Sequence, residues 1–298
     1  MKYEIDKDEK KLYYDGVGKK HILYRIVALK DIFGPDGKCI IKKGQKGGWI
    51  EESASLSQNE NCFILGEAKL LDKASVYHNA IIKDNAVVSG AACIKGKAIV
   101  SDDAVVTDYS IIEAEAKVCD RALLKDLTIV SGKSVVMGDA IVSGHINIQG
   151  KTKIKDLSRI YGKAFIEGNV TIAGATYITG KHKFTAKKVI IKDSNIYDCL
   201  TIECSQTAFE FMKATKIYQS KISGITYIDQ ETRIRRSKIR TSNLRNAYAV
   251  NRSIVINSNL LSVHISNSVI ENKNCNGKIV KNNVERASIG KILKGFYK

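Results

Sequence analysis

The sequence predicts an all-β protein, built as a single-stranded parallel β-helix with a β cap at its N-terminus. Three observations support this fold class: a six-residue repeat of small and aliphatic residues, a recurrent Gly or Asp between repeats, and many β-branched residues. Of the 298 residues, 44% are hydrophobic, 22 are glycine and only one is proline. The chain is therefore long enough to bury a sizeable core along the repeat.

The repeat runs without interruption from Ala68 to Ile178. Small-residue positions recur every six residues, and 17 of these 19 positions hold Ala, Ser or Thr. An aliphatic residue follows two positions after each of them, in all 19 cases. Residues two apart on a strand point to the same face, so both series are expected to enter one interior.

The position two before each small residue is mostly Gly or Asp, which tolerate the tight or left-handed backbone of a corner. Each repeat therefore makes one short side and one corner. Three sides close a coil of about 18 residues, and successive coils stack at about 4.8 Å, the spacing of paired strands. The sequence predicts a triangular hexapeptide solenoid.

Other parts of the chain depart from this period. Residues 203–214 fit no phase of the repeat and predict a junction loop or a short helix. The small–x–aliphatic pattern returns at Thr215, and beyond Ile234 its step shortens to five, which resembles pentapeptide repeats and predicts a continuation with shorter sides. The segment KHILYRIVAL (20–29) predicts a strand. The predicted regions are an N-terminal cap (1–65), a hexapeptide β-helix (66–202), the junction (203–214), a pentapeptide-like solenoid (215–272) and a C-terminal cap or tail (273–298).

The start of the chain and its cysteines predict a cytoplasmic protein that does not contact a membrane. The charged N-terminal segment lacks the apolar core of a secretory signal, and no stretch of about 18 apolar residues is present. The seven cysteines are dispersed, without a CxxC pair or the spacing of a metal site, and predict free thiols in a reducing compartment.

The net charge of +17 is unevenly distributed. Residues 1–140 hold 21 basic and 21 acidic residues, whereas residues 141–298 hold 27 basic and 10 acidic ones. A ladder of positive charge on a regular solenoid attracts phosphate backbones or other polyanions, including an acidic protein surface. A generally basic surface without a dedicated partner is the alternative. The predicted polyanion-binding residues are Lys151, Lys153, Lys155, Arg159, Arg233, Arg235, Arg236, Lys238, Arg240, Arg245 and Arg252.

The segment GQKGGWIEESASLSQNENCFILGEAKL (44–70) resembles the start of the repeats in a family of bacterial and phage hexapeptide-repeat proteins, the YdcK-type proteins. The similarity extends over roughly residues 22–180 and is most specific at the Gly-Gly-Trp and Leu-Ser-Gln elements. It implies a left-handed β-helix. It also implies acetyl-CoA-dependent acyl transfer at a groove between the subunits of a trimer, with a histidine as general base on the acceptor.

His78 and His145 are the candidates for that base, because both are expected at solvent-exposed corners. The structural interpretation of each is an exposed polar corner residue. The uninterrupted repeat from 68 to 180 leaves no long loop to enclose a small substrate, which weighs against an enzyme.

The sequence therefore favours a non-enzymatic binding or assembly scaffold that needs no cofactor and engages an acidic partner such as nucleic acid. An acyltransferase that uses acetyl-CoA is the alternative. A structural rod that forms homo-oligomers is a third possibility.

Overall fold

The computed structural model describes the backbone of residues 1–173 and of the strands that follow, up to Ser288, and the side chains of residues 1–162. The chain divides into two compact units, Met1–Gly150 and Lys151–Lys298, here called unit 1 and unit 2. Every regular element in the described part is a β-strand. None of the described residues forms a helix that is long and apolar enough to cross a membrane.

Unit 1 contains 19 strands, most of them two residues long. They are β1 (Tyr3–Tyr14), β2 (Lys20–Ala28), β3 (Ile32–Phe33), β4 (Cys39–Ile41), β5 (Lys46–Glu51), β6 (Ser55–Leu56), β7 (Phe63–Ile64), β8 (Lys69–Leu70), β9 (Ser75–Val76), β10 (Ile81–Ile82), β11 (Val87–Val88), β12 (Cys93–Ile94), β13 (Ile99–Val100), β14 (Val105–Val106), β15 (Ile111–Ile112), β16 (Lys117–Val118), β17 (Leu123–Val130), β18 (Val135–Val136) and β19 (Ile141–Ile148).

The described part of unit 2 also consists of β-strands. They are β20 (Lys153–Ile154), β21 (Arg159–Ala173), β22 (Tyr177–Thr179), β23 (Lys181–Lys192), β24 (Asn195–Tyr197), β25 (Leu200–Glu203), β26 (Thr215–Tyr218), β27 (Lys221–Ser223), β28 (Thr226–Asp229), β29 (Arg233–Arg235), β30 (Lys238–Arg240), β31 (Asn243–Arg245), β32 (Val250–Asn251), β33 (Ile254–Ile256), β34 (Leu260–Leu261), β35 (Ile265–Ser266), β36 (Ser268–Glu271), β37 (Cys275–Asn276) and β38 (Val284–Ser288).

Parallel pairing at a fixed offset confirms the predicted β-solenoid. Ile81 pairs with Ile99, Val87 with Val105 and Cys93 with Ile111, so each strand lies beside the strand 18 residues further along. Three such columns of strands form the three sides of each coil. The hand of the helix stays a prediction.

The predicted core is also confirmed wherever side chains are described. Both series of the repeat, the small one from Ala68 to Ser158 and the aliphatic one from Leu70 to Ile160, are buried at every position. Where Ser or Thr replaces Ala, the hydroxyl can satisfy the corner: Thr128 Oγ1 donates to the carbonyl of Lys125 at 2.8 Å. Ser110 Oγ, by contrast, is buried without a hydrogen-bond partner, so this small-residue position does not pair every hydroxyl that it accepts.

The corners are the most regular feature of the chain. Every sixth residue from Glu60 to Gly162 has a positive φ, including ten residues that are not glycine. Aspartate corners bond to the coil above: Asp84 Oδ2 accepts the N–H of Asp102, and Asp102 Oδ2 accepts that of Asp120. This contact explains why Asp alternates with Gly at these positions.

The N-terminal cap is a three-stranded antiparallel sheet. β1 pairs with β2 and β2 pairs with β5, and β2 confirms the predicted strand at 20–29. β5 also pairs in parallel with β8, and in this pairing Trp49 lies beside Lys69. One strand thus belongs to both the cap and the first coil, which begins inside the region predicted as cap.

The first coil is two residues longer than the others. Ser55 pairs with Ser75, an offset of 20, whereas Phe63 pairs with Ile81 at the regular offset of 18. The longer side contains Gln58, whose side chain accepts the N–H of Lys2 at 2.7 Å and donates to the carbonyl of Tyr3 at 3.1 Å. The extra residues therefore hold the N-terminus against the coil.

Lys2 is buried under this longer side. Its ammonium group donates to the carbonyl of Cys62 at 2.6 Å and to that of Asn59 at 3.2 Å. Burial lowers the pKa of Lys2 from its ordinary value. The side chain supplies hydrogen-bond donors to carbonyl groups that the longer side leaves without strand partners.

In unit 2 the register offset changes along the chain. Arg159 pairs with Tyr177 at 18, but Ile234 pairs with Val250 at 16 and Ile254 with Val269 at 15. The smaller coils agree with the five-residue step predicted there. Residues 204–214 lie outside the described residues, and the predicted region boundaries stay predictions.

Gly47 and Gly48 explain the Gly-Gly-Trp element. A Cβ on Gly47 would lie 2.6 Å from Phe63 Cε1 and 2.7 Å from the carbonyl oxygen of Ile64. Since a backbone oxygen cannot be displaced cheaply, only glycine allows β5 to lie this close to the first coil.

We expect Gly47→Ala to lower the free energy of unfolding by about 1–3 kcal/mol, the usual effect of overpacking. Chemical denaturation of the whole chain measures this change. Gly16→Ala is the control, because a Cβ there meets nothing within 4 Å. Equal stability of the two variants would contradict the assigned role of Gly47.

Candidate functional site

His78 occupies a corner, as predicted, and the structure gives it a structural contact. Its φ of 60° is left-handed, and its exposed ring accepts the N–H of Gly96 on Nδ1 at 3.3 Å. This is the same bond to the next coil that the corner aspartates make. The interpretation of His78 as a polar corner residue explains its position without catalysis.

His145 lies on another column of unit 1 and is exposed. It pairs with Leu127 in the strand register, and Tyr109 lies 18 residues before Leu127 on the same column. Leu127 is 42% exposed and Tyr109 is 65% exposed, so an apolar column leads to this histidine. Because His78 and His145 follow different corner columns, one subunit does not bring them together.

The first coil of unit 2 exposes three of the predicted polyanion-binding residues. Lys151, Lys153 and Arg159 are exposed, whereas Lys155 is half-buried and forms an ion pair with Asp156 at 3.3 Å. Three of the four basic side chains in this group are therefore exposed and could contact a partner.

The second basic group lies on strands whose register is described. Arg233 pairs with Lys216 and Lys238 with Lys221, so basic residues are neighbours on successive coils at these two places. The three remaining arginines with a described register have neighbours that are not basic. Arg235 pairs with Tyr218 and Asn251, Arg240 with Ser223, and Arg245 with Asp229 and Leu261. Arg236 and Arg252 lie outside the described residues.

Several cations in unit 1 form ion pairs with carboxylates on the next coil. Lys95 binds Glu113 at 3.0 Å and Lys133 binds Glu115 at 3.2 Å, in each case 18 residues apart. Residues 141–150 contain no Lys, Arg, Asp or Glu, so unit 1 has 21 basic and 21 acidic residues and unit 2 has the whole surplus of 17. The charge boundary of the sequence coincides with the boundary between the compact units.

A cluster around Trp49 joins the cap to the first coil. Glu67 accepts hydrogen bonds from Trp49 Nε1 at 2.9 Å, from Lys11 at 3.1 Å and from Arg25 at 3.0 Å. The Arg25 guanidinium also lies 4.6 Å from the Trp49 ring centroid. Burial acts to raise the pKa of Glu67, but these three hydrogen bonds outweigh it and hold the pKa below its ordinary value.

A second polar cluster surrounds His21, for which the sequence indicated no partner. The side chain of His21 is fully buried, and its Nδ1 lies 3.1 Å from Glu51 Oε2 and 4.0 Å from Asp72 Oδ1. Its Nε2 lies 3.5 Å from Asp15 Oδ2. A buried imidazole among three carboxylates was not predictable from spacing, because these residues come from a hairpin turn, two strands and a corner.

Asp72 is the corner residue of this cluster. Burial acts to raise its pKa, but hydrogen bonds from Lys19 and from the N–H of Gly90 hold the pKa below its ordinary value. Asp15 also has a lowered pKa, because hydrogen bonds from the N–H groups of Lys19 and Val17 outweigh its desolvation. Both carboxylates are therefore ionised at neutral pH and oriented by their bonds.

The fold and these clusters define a β-solenoid with an antiparallel cap. Comparison with protein-family models and with curated proteins finds no significant match to this chain.

The lowered pKa of Glu67 predicts a pH-dependent contribution to stability. Because the folded pKa lies below the ordinary value of 4.5, the contribution is present above pH 4.5 and disappears as the pH falls through the folded pKa. We expect Glu67→Gln to lower the free energy of unfolding at neutral pH by about 1 kcal/mol or less, since this exposed carboxylate is screened by solvent.

Urea denaturation at several pH values measures this difference, which should approach zero in acid. Glu52→Gln is the matched control, because the Lys7–Glu52 pair is largely exposed and makes no contact with Trp49. A difference between Glu67→Gln and the wild type that persists unchanged in acid would contradict the assignment.

Proposed function

We propose that this protein is a non-enzymatic binding or assembly scaffold whose unit 2 engages the phosphate backbone of nucleic acid. One observation supports this most directly: the surplus of 17 positive charges belongs entirely to one of the two compact units. By composition alone, 10 acidic residues can neutralise only a minority of its 27 basic ones.

The contrast with unit 1 strengthens the proposal. The same repeat there carries cations opposite carboxylates on the next coil, as in the pair of Arg121 with Asp139. Solubility of a β-solenoid is therefore compatible with a balanced surface, and a surplus confined to unit 2 requires another explanation. Attraction of a polyanion is the physical consequence of such a surplus.

Binding of this kind is expected to be non-specific. Cations on a regular solenoid meet phosphates and not base edges, so the affinity depends on counterion release and weakens with salt. Several Arg residues in 233–245 favour bidentate phosphate contacts over point-charge contacts. Four described cysteines are free thiols, which supports the proposed cytoplasmic location.

The test is fluorescence anisotropy of a short labelled DNA duplex, with salt raised from about 50 to 200 mM. We expect the triple variant Arg235→Glu, Arg240→Glu, Arg245→Glu to bind about tenfold or more weakly. We also expect a salt slope shallower by about three, one for each lost phosphate contact.

A matched control places the same charge change on unit 1. Lys73, Lys97 and Lys117 are exposed there, and their change to Glu alters the net charge by the same amount. The control should bind almost as tightly as the wild type. If both triple variants lose affinity equally, or if neither does, unit 2 is not the binding surface.

An acetyl-CoA-dependent acyltransferase is the second candidate, supported by the exposed column of Tyr109 and Leu127 that ends at His145. The resemblance of residues 44–70 to YdcK-type proteins points the same way. An apolar column beside an exposed imidazole suits the pantetheine arm of CoA and a general base at a subunit interface.

Ligand linkage tests this candidate. CoA at 100 times its dissociation constant stabilises a protein by about 2.7 kcal/mol, so a specific site gives a clear rise in melting temperature. ATP is the control, because its phosphates would also be attracted to unit 2. Equal shifts with ATP and CoA, or no shift with CoA, would exclude the specific site, whereas a CoA-specific shift reduced in the Tyr109→Ser, Leu127→Ser variant would support it.

A further inference from the structure

The buried histidine of the cap, His21, has the surroundings of a metal ligand. We propose that His21, Glu51 and Asp72 form a site for a divalent cation of the zinc class. The residues come from β2, from the end of β5 and from the corner that follows β8. A metal here would join the cap to the first two coils, because Glu51 follows the segment of β5 that pairs with β8, and Asp72 follows β8.

The three ligand atoms are already close together. His21 Nδ1 lies 3.1 Å from Glu51 Oε2 and 4.0 Å from Asp72 Oδ1, and all three atoms lie within 4.8 Å of one another. Ligands at about 2.1 Å from a tetrahedral ion are about 3.4 Å apart. Shifts of a fraction of an ångström to about 1 Å would complete the geometry and leave the fourth position to water.

The groups behind these ligands are arranged as in protein metal sites. Asp15 Oδ1 accepts the N–H groups of Val17 at 3.0 Å and Lys19 at 2.8 Å, which leaves Oδ2 facing His21 Nε2. When a cation replaces the contact of Nδ1 with Glu51, the carboxylate on the far nitrogen would hold the ring hydrogen on Nε2 and leave the lone pair of Nδ1 for the metal. Asp72 Oδ2 accepts the N–H of Gly90 at 3.0 Å, so Oδ1 is the oxygen directed at the cluster.

The charge of the cluster also favours a divalent cation. Three carboxylates surround the imidazole, and the nearby Lys19 ammonium, which binds Asp72 Oδ1, supplies one positive charge. With a neutral imidazole these side chains carry a net charge of −2, which a divalent cation would balance. Lys19 is 58% exposed and can move into solvent when a metal takes its place.

The experiment is a melting-temperature and calorimetric titration of the whole chain with Zn²⁺ after dialysis against a chelator. We expect Zn²⁺ to raise the melting temperature, Mg²⁺ to have little effect, and Co²⁺ to give the visible absorption of a four-coordinate ion. Asp72→Asn and Glu51→Gln keep the shape of each side chain and should lose the stabilisation.

Lys19→Gln distinguishes a metal site from a network of ion pairs. Removing the competing ammonium should tighten Zn²⁺ binding about two- to fivefold, the range that an exposed ion pair is worth. A network of ion pairs without a metal role would instead be weakened by Lys19→Gln and would not respond to Zn²⁺.

A second group of potential metal ligands lies at an exposed corner and could bind Zn²⁺ in the same titrations. It consists of Asp102, Cys119 and Asp120. All titrations therefore use a Cys119→Ser background, and Asp102→Asn is the matched variant that should leave binding unchanged. The proposal is overturned if Zn²⁺ does not raise the melting temperature of the Cys119→Ser protein. It is also overturned if Zn²⁺ still stabilises the Asp72→Asn variant and the Glu51→Gln variant, or if Lys19→Gln weakens Zn²⁺ binding.

Discussion

The regular hexapeptide coils depend on one backbone constraint, a left-handed residue at every sixth position from Glu60 to Gly162. This residue turns the chain, so it sets the length of each side and thereby the 18-residue coil. Once the coil length is constant, strands stack in register and the N–H of each side meets a carbonyl of the next coil, as in the 2.8 Å bond from Lys69 to Ala86. The hydrophobic column then follows, because the same two slots of every repeat face inward.

That constraint also explains which polar residues stand at the corners. A left-handed conformation costs an ordinary L-residue roughly 1–2 kcal/mol, and glycine avoids this at the expense of chain entropy. Aspartate offsets the strain with a hydrogen bond to the N–H of the next corner, and His78 does the same with Nδ1. The corner side chains therefore act as bonds between coils, which limits how many of them can be freely used for catalysis.

The repeat was predictable from sequence because its signal is local. Six residues contain a full side, and the buried series from Ala68 to Ile160 could be read from composition at fixed spacing. The two-residue extension of the first coil was not predictable, because its cause is the N-terminus: Gln58 and the buried Lys2 interact across more than fifty residues. Likewise, the glycines of the Gly-Gly-Trp element are explained only by the closeness of β5 to Phe63 and Ile64.

The candidate sites divide in the same way. Charge segregation is a property of composition and was visible in the sequence, and so were the corner positions of His78 and His145. The cluster around His21 was not, since His21, Glu51 and Asp72 are 30 and 21 residues apart along the chain and meet only because β5 belongs to both sheets.

The strand shared by cap and coil, β5, has two kinds of neighbour, because it pairs antiparallel with β2 on one edge and parallel with β8 on the other. Two polar clusters lie at this strand, one at Trp49 and the other at Glu51, and each contacts the cap on one side and the solenoid on the other. These two clusters thus lie where the repeat begins, whereas the regular coils contain a hydrophobic core, corner hydrogen bonds and ion pairs between coils. A ligand-dependent change in the stability of unit 1 is therefore expected at its cap, whereas the surplus charge is the reason for proposing that unit 2 contacts a polyanion.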